Sequence, residues 1–204
     1  EMPYDELSQV VDSGFATVLM SEDGFVRTAQ LFADTPENGH RVSFAYSIYE
    51  KYMEYLGEEA VKPEVNEANQ LNFFYSGEVG EYSKVSLCDV LDGTRPKSEF
   101  KDCIVLVGAY ATGMQDAYRA AIDRGQSMQG VEINANLLQA LLDGRTAVKV
   151  PQSKHALVMM IITYVVFFLL RKQKLIWAII ETGAVMGAHL LIGRILAHNG
   201  KHIS

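Results

Sequence analysis

Short apolar runs separated by turn residues fill the first part of the chain, and two long apolar runs close it. Phe15–Met20 (FATVLM) and Phe25–Phe32 (FVRTAQLF) each read as a strand. Ser21-Glu22-Asp23-Gly24 between them supplies hairpin chemistry, with Asp-Gly favouring the positive φ a tight turn needs. ADTPENGH then reads as a loop. Val42 to Leu56 predicts a helix with Phe44, Ile48, Tyr52 and Tyr55 recurring at helical spacing, stopped by Gly57. Leu71–Tyr75 predicts a short strand and Leu87–Leu91 one helical turn before Asp92-Gly93. Cys103–Val107 (CIVLV) is a continuous apolar run entering Gly108, the pattern of a strand buried on both faces. The stretch from Tyr110 to Gln129 reads as loop with at most one turn of helix. Val131–Asp143 predicts a second helix ended by Gly144. Strands alternating with helices, opened by a hairpin, imply an α/β domain with a mixed β-sheet and flanking helices.

On a wheel of 100° per residue, Glu132, Asn136, Gln139 and Asp143 fall on one narrow stripe of the second helix. Apolar residues take the rest of the circumference, so the helix is expected to be buried on most sides. Asn134 falls on the apolar side near Leu138 and Leu141, where an amide must find partners. It either pins the backbone of the preceding loop or faces an enclosed ligand.

The tail has a different pattern. Ala156–Leu170 (ALVMMIITYVVFFLL) is fifteen residues without a charge, about 22 Å of helix. Lys154 and Arg171 flank it with stems long enough to reach a membrane interface. Leu175–Ala197 is a second apolar run and carries Glu181, His189 and Arg194. Two such runs joined by RKQK predict a transmembrane helical hairpin, with helices at about 155–171 and 175–197. Two buried helices of a larger core are the weaker alternative. Arg171, Lys172 and Lys174 mark the loop at 171–174 as cytoplasmic. Residues 1–150 are then extracytoplasmic, and residues 151–204 form a multi-pass anchor in the cell membrane. Export of that domain needs a signal, so more chain is expected upstream of Glu1.

Gly183 and Gly187 form a small-residue pair that allows close approach of another helix, and they underlie the expectation of a homodimer. Glu181 should face protein rather than lipid, either as a signalling carboxylate or as a neutral acid bonded to a neighbouring helix.

Charge sharpens the division. Residues 1–150 carry 12 Lys and Arg against 24 Asp and Glu, while residues 151–204 carry 6 against the single acid Glu181. The acidic first part repels phosphates, so nucleic acid is not an expected partner. The two cysteines, Cys88 and Cys103, suit neither a disulfide scaffold nor a metal site; one bridge and two separately buried thiols both remain open. The five histidines make no metal-ligand pair on a shared helical face, and no metal or cofactor is expected. There is no GxSxG, and only His40 lies in the first part with a base's chemistry. Gly108 and Gly113 lack the Lys-Ser/Thr of a phosphate loop, with Met114-Gln115 there instead. Catalysis by this chain is not expected. Asp116 with Arg119 is the best polar pair in a loop after an apolar strand, either as ligand contacts or as a local ion pair closing the loop.

Lys101–Gly144 resembles the most recognisable part of the second type of CHASE sensory domain (cyclase/histidine-kinase-associated sensory extracellular). The resemblance rests on Val107-Gly108-Ala109, Asp116, and Gly130-Val131-Glu132-Ile133-Asn134-Ala135-Asn136 through Leu141-Leu142 and Gly144. Asp23-Gly24 with Val26-Arg27, Leu71-Asn72-Phe73 with Gly77, and Val90-Leu91-Asp92-Gly93 are similar to the family's upstream elements in order and spacing. Asn134 stands where the family often has His, and Ala120-Ala121 where a Thr-Pro is usual. The resemblance covers residues 12–145 and implies a stimulus-sensing domain. Such a domain signals through membrane helices to a cytoplasmic output, a nucleotide cyclase or kinase, that lies outside this chain. Asp116, Arg119 and Asn134, taken from the loop and the helix wheel, are the candidate ligand contacts for a small-molecule or other extracellular stimulus. The alternative is a membrane-anchored binding or assembly module with no output.

Overall fold

The computed structural model describes residues 10–35, 39–110, 113–114, 116–122, 126–148, 152–170 and 175–198. They fall into two compact units, Glu1–Pro63 with Glu67–Thr146 and Glu64–Asn66 with Ala147–Ser204. The boundary expected at residues 150/151 lies outside the described residues.

The first unit is a mixed α/β fold. Strands β1 (Leu19–Met20) and β2 (Phe25–Gln30) pair antiparallel across the predicted turn. Gly24 closes that turn at φ 78°, and its N–H donates to the Ser21 carbonyl at 2.8 Å. The main sheet runs β7–β6–β2–β5–β8, with β1 on β2. Here β5 is Gln70–Phe73, β6 Ala117–Ala120, β7 Met128–Gln129 and β8 Thr146–Ala147. β5 lies antiparallel to β2 (Ala29 opposite Leu71) and β6 lies parallel to it (Val26 opposite Ala120), so the sheet is mixed as predicted. The stretch expected as the loop ADTPENGH instead lends both its ends to a second hairpin, β3 (Phe32–Thr35) with β4 (Gly39–Val42).

Helix α1 (Phe44–Leu56) begins where Ser43 accepts the Tyr46 N–H through Oγ at 3.3 Å. It stops where Gly57 adopts φ 73° and its N–H donates to the Glu54 carbonyl. Its buried face is Ala45, Tyr46 and Tyr49 rather than the predicted Phe44, Ile48, Tyr52 and Tyr55; Tyr55 is exposed. The shift follows from tertiary partners: Phe32 packs edge-on against Tyr46 at 5.1 Å, and the Tyr49 hydroxyl accepts the Val61 N–H at 3.1 Å. Helix α2 (Leu87–Leu91) is the predicted single turn. Helix α3 (Gly130–Leu142) packs against α1, and Gly144 at φ 64° ends it. The core joins Val26, Leu31 and Leu71 of the sheet region to Met128, Ile133, Leu137, Leu138 and Leu141, all buried.

One expectation fails clearly. Cys103–Val107 forms no strand, and Ile104, Val105 and Val107 are exposed. The parallel position beside β2 is taken by β6, from the stretch expected to be loop, and β5 takes the antiparallel one. Both cysteines are free and exposed, so neither the bridge nor the pair of buried thiols is seen.

The second unit contains helices α4 (Gln152–Leu170) and α5 (Leu175–His198) at nearly the predicted positions. Among the described residues no helix is long and apolar enough to cross a membrane, so the predicted transmembrane hairpin gains no support from them. In α4 the described side chains run from Ala156 to Phe168, about 20 Å at 1.5 Å per residue against a hydrocarbon core of ~30 Å. Along them Leu157, Met160, Ile161, Tyr164, Phe167 and Phe168 are all exposed. A side chain added at Gly183 or Gly187 would meet nothing within 4 Å. The loop at 171–174 and the Glu181 side chain lie outside the described residues.

The core position of β5 is open to test. Leu71→Ala is expected to remove about 3 kcal/mol of unfolding free energy in urea denaturation. A loss below about 1 kcal/mol would mean that Leu71 is not held in a packed interior.

Candidate functional site

The polar residues of α3 organise two sites, one at the helix start and one along the stripe that the wheel isolates. At the start, the Gly130 N–H donates to the Asp116 carbonyl at 2.8 Å. The Asp116 carboxylate fills the space a side chain on Gly130 would need, both oxygens lying 2.5 Å from that Cβ position. Only glycine fits there, and the carboxylate sits at the positive end of the helix dipole. From the next turn, Asn134 Nδ2 donates to the Gly130 carbonyl at 2.9 Å. Asp116 and Asn134 therefore meet on Gly130, and the half-buried Asn134 amide serves the helix's own first turn.

Arg119 does not join them. It lies opposite Phe25 in the β2–β6 ladder, and its guanidinium stacks 5.4 Å from the Phe25 ring centroid. Arg27 stacks on the same ring at 5.1 Å. The predicted Asp116–Arg119 ion pair is not formed among the described residues. Asp116 instead faces Tyr118; burial first, then the Asp116 charge and a hydrogen bond to it, raise the Tyr118 hydroxyl above its usual pKa. Arg27 grips Asp23 through Nη1 at 2.8 and 2.6 Å. That hydrogen bond, foremost, holds the Asp23 carboxyl below its ordinary 3.8. The exposed pair thus stabilises the hairpin above that pH and loses its effect as pH falls through the lowered value.

The second site is a clamp on the loop after β5. Asn136 is completely buried, and its Oδ1 accepts the N–H groups of Ser76 and Gly77, each at 2.9 Å. Its Nδ2 donates to the Glu132 carbonyl at 3.0 Å and to Met128 Sδ at 3.5 Å. One turn earlier Glu132, only 4% exposed, accepts the Gly80 N–H through Oε1 at 2.9 Å. Arg145 ties the same loop from beyond the helix, donating to Ser76 Oγ at 3.1 Å. Lys84 Nζ comes within 3.8 Å of Glu132 Oε1 and donates to the Tyr110 hydroxyl. Two buried atoms of this cluster, Glu132 Oε2 and Tyr82 Oη, have no partner among the described residues. Burial is the main reason the Tyr82 hydroxyl is raised above its usual pKa, with Glu81, Asp143 and Glu132 adding to it.

Sequence reasoning singled out neither Glu132 nor Asn136 as a contact residue, nor Tyr82, Lys84 and Tyr110. Two polar residues spaced i, i+4 on a helix otherwise apolar all round were the available signal, since a stripe that narrow covers one loop rather than an open surface. Among the described residues no cluster of His, Cys, Asp and Glu could hold a metal ion.

The ordered set of hairpin, mixed sheet and α3 with its clamp can be compared with known families. A family model for the CHASE2 domain matches residues 6–170. The chain belongs to the CHASE2 domain family. No curated protein and no solved structure matches it. CHASE2 domains are sensory extracellular domains, and the match takes in every element from β1 through α4. Glu132, Asn136, Gly130 and Asp116 all fall inside the CHASE2 region.

The two asparagines of α3 should separate in stability. Asn136→Ala strands the buried Gly77 N–H, removes the partner of the part-buried Ser76 N–H, and is expected to cost about 3 kcal/mol in chemical denaturation. Asn134→Ala loses one half-buried bond and is expected to cost under ~1 kcal/mol. Equal costs would show that the loop does not depend on the clamp.

Proposed function

We propose that this CHASE2 chain is the extracytoplasmic sensing part of a transmembrane receptor. In this reading a stimulus bound by the first unit is passed through the helices of the second to a cytoplasmic cyclase or kinase module outside this chain. The observation that carries it is the extent of the CHASE2 match, which runs without a break from the α/β unit through α4. The apolar side chains exposed around α4 support a lipid environment for that helix, because water would disfavour them on every face. The cationic sequence Arg171-Lys172-Gln173-Lys174 supports a cytoplasmic end to it. The turn at Asp116, Gly130 and Asn134 sits at the start of the most buried helix. A contact made there acts on the helix that holds the unit together. This chain carries no catalytic role in the proposal; it receives and transmits.

The free cysteines make a direct test of topology. In intact cells carrying the native full-length protein, a membrane-impermeant maleimide should label Cys88 and Cys103, which are exposed and unbridged. In a background with both changed to serine, a cysteine from Lys172→Cys should react only after permeabilisation. The reverse pattern overturns the extracytoplasmic placement, and with it the receptor reading.

A further inference from the structure

We propose that Glu132, Tyr110 and Tyr82 form a binding site for a small alkylammonium ligand, a site filled in this structure by the chain's own Lys84. Lys84 Nζ lies 4.1 Å from the centroid of the Tyr110 ring and 3.8 Å from Glu132 Oε1. An aromatic face beside a carboxylate is the recognition set for an ammonium group, which the ring quadrupole and the negative oxygen both attract.

Lys84 satisfies that set incompletely. Charge-assisted N–H···O bonds close to about 2.7–2.9 Å, so a separation of 3.8 Å is an attraction without a hydrogen bond. Among the described residues, the other oxygen of the same carboxylate, Oε2, is buried with no donor, and Tyr82 Oη is buried with no partner. An ammonium carries three N–H donors, and Glu132 Oε2 and Tyr82 Oη are acceptors that receive none among the described residues. Lys84 bonds neither, and its stem is tied to the loop whose Gly80 N–H donates to Glu132 Oε1. A free alkylammonium has no such tether.

The chemistry excludes the other ligand classes. An anion would meet a buried carboxylate. A multivalent metal would need further ligands, and no such cluster exists among the described residues. The acidic surface of the first unit, with 24 acids to 12 bases over residues 1–150, raises the local concentration of cations. The route in is also present: the Lys84 side chain is 41% exposed, whereas that of Glu132 is 4% exposed. Exchange therefore moves one partly exposed side chain. The Asn136 clamp on Ser76 and Gly77 keeps the rest of the loop in place. As a stimulus for signalling, such a ligand rests on the receptor reading; as a binding site, it does not.

Calorimetric titration of the full chain with 1,4-diaminobutane tests the site. Controls are 1,4-butanediol, the neutral isostere, and sodium chloride at matched ionic strength. Saturable binding of the diamine but not the diol is expected. Lys84→Ala removes the internal competitor and should tighten binding about tenfold. Glu132→Gln should abolish it. Tyr110→Leu, at an exposed position, should weaken it about fivefold without affecting folding. No saturable binding in Lys84→Ala overturns the proposal, and so does binding that Glu132→Gln and Tyr110→Leu leave unchanged, which would be adsorption to surface acids. Either failure leaves the maleimide labelling unaffected, so the site and the receptor reading stand or fall separately.

Discussion

The buried side-chain amide of Asn136 is the constraint on which the first unit depends. It sits in the middle of α3 and uses both ends: Oδ1 takes two backbone N–H groups of the loop after β5, and Nδ2 returns a proton to the helix's own Glu132 carbonyl. The loop after β5 would otherwise leave the buried Gly77 N–H unpaired, at a cost of about 1–3 kcal/mol. With the amide in place, the same helix buries Ile133, Leu137, Leu138 and Leu141 against the sheet and α1. Apolar packing supplies the driving force there, and the amide fixes one rotation of α3 about its axis. A helix apolar on nearly every side has little else to choose its rotation.

What was legible in the sequence is what local chemistry decides. Asp23-Gly24 set a turn whether or not anything packs on it, and Gly57 and Gly144 end helices because each takes a left-handed conformation. The extents of α1 and α3 followed from period and punctuation, and those of α4 and α5 from the length of their apolar runs. Choices settled by competition between distant segments were not legible. Cys103–Val107 has the better strand composition, yet Ala117–Ala120 holds the place beside β2. The ladder needs a register in which Ala120 fits against Val26, and a small residue is what that buried position accepts. The same limit applied to the candidate site. Of the three candidate contacts, Asp116 and Asn134 both meet Gly130, where glycine leaves room; Arg119 is three residues from Asp116 in sequence but points to Phe25, because β6 is extended rather than helical. The i, i+3 pairing holds only on a helix.

Charge in the first unit is arranged in two regimes. Most carboxylates stand in water, where pairs such as Asp23 with Arg27 are worth little and fade at low pH. Glu132 is the exception. A buried carboxylate is stable only where donors reach it, and the Gly80 N–H and the nearby Lys84 ammonium serve one of its two oxygens. That asymmetry separates a structural acid from a receptive one. A carboxylate fully bonded on both oxygens gains nothing from a ligand, whereas one with a buried oxygen that no described residue bonds gains a donor.

Lys84 also connects the two least settled parts of the unit. The segment 103–110 is extended and exposed, without a place in either sheet, and its end is held at two points. Gly108 lies so close to Val131 that a side chain there would come within 2.6 Å of it, and Tyr110 receives Lys84. The first contact joins the segment to the opening turn of α3, and the second joins it to the clamped loop. A cation that displaced Lys84 from Tyr110 would therefore remove the tie between the segment and the clamped loop while leaving the contact with α3 at Gly108. An apolar stretch with no ladder of its own costs little to move. The tie to be exchanged is the Lys84 hydrogen bond to the Tyr110 hydroxyl together with an ammonium–aromatic contact of about 0.5–1 kcal/mol, and a bound ammonium can replace both.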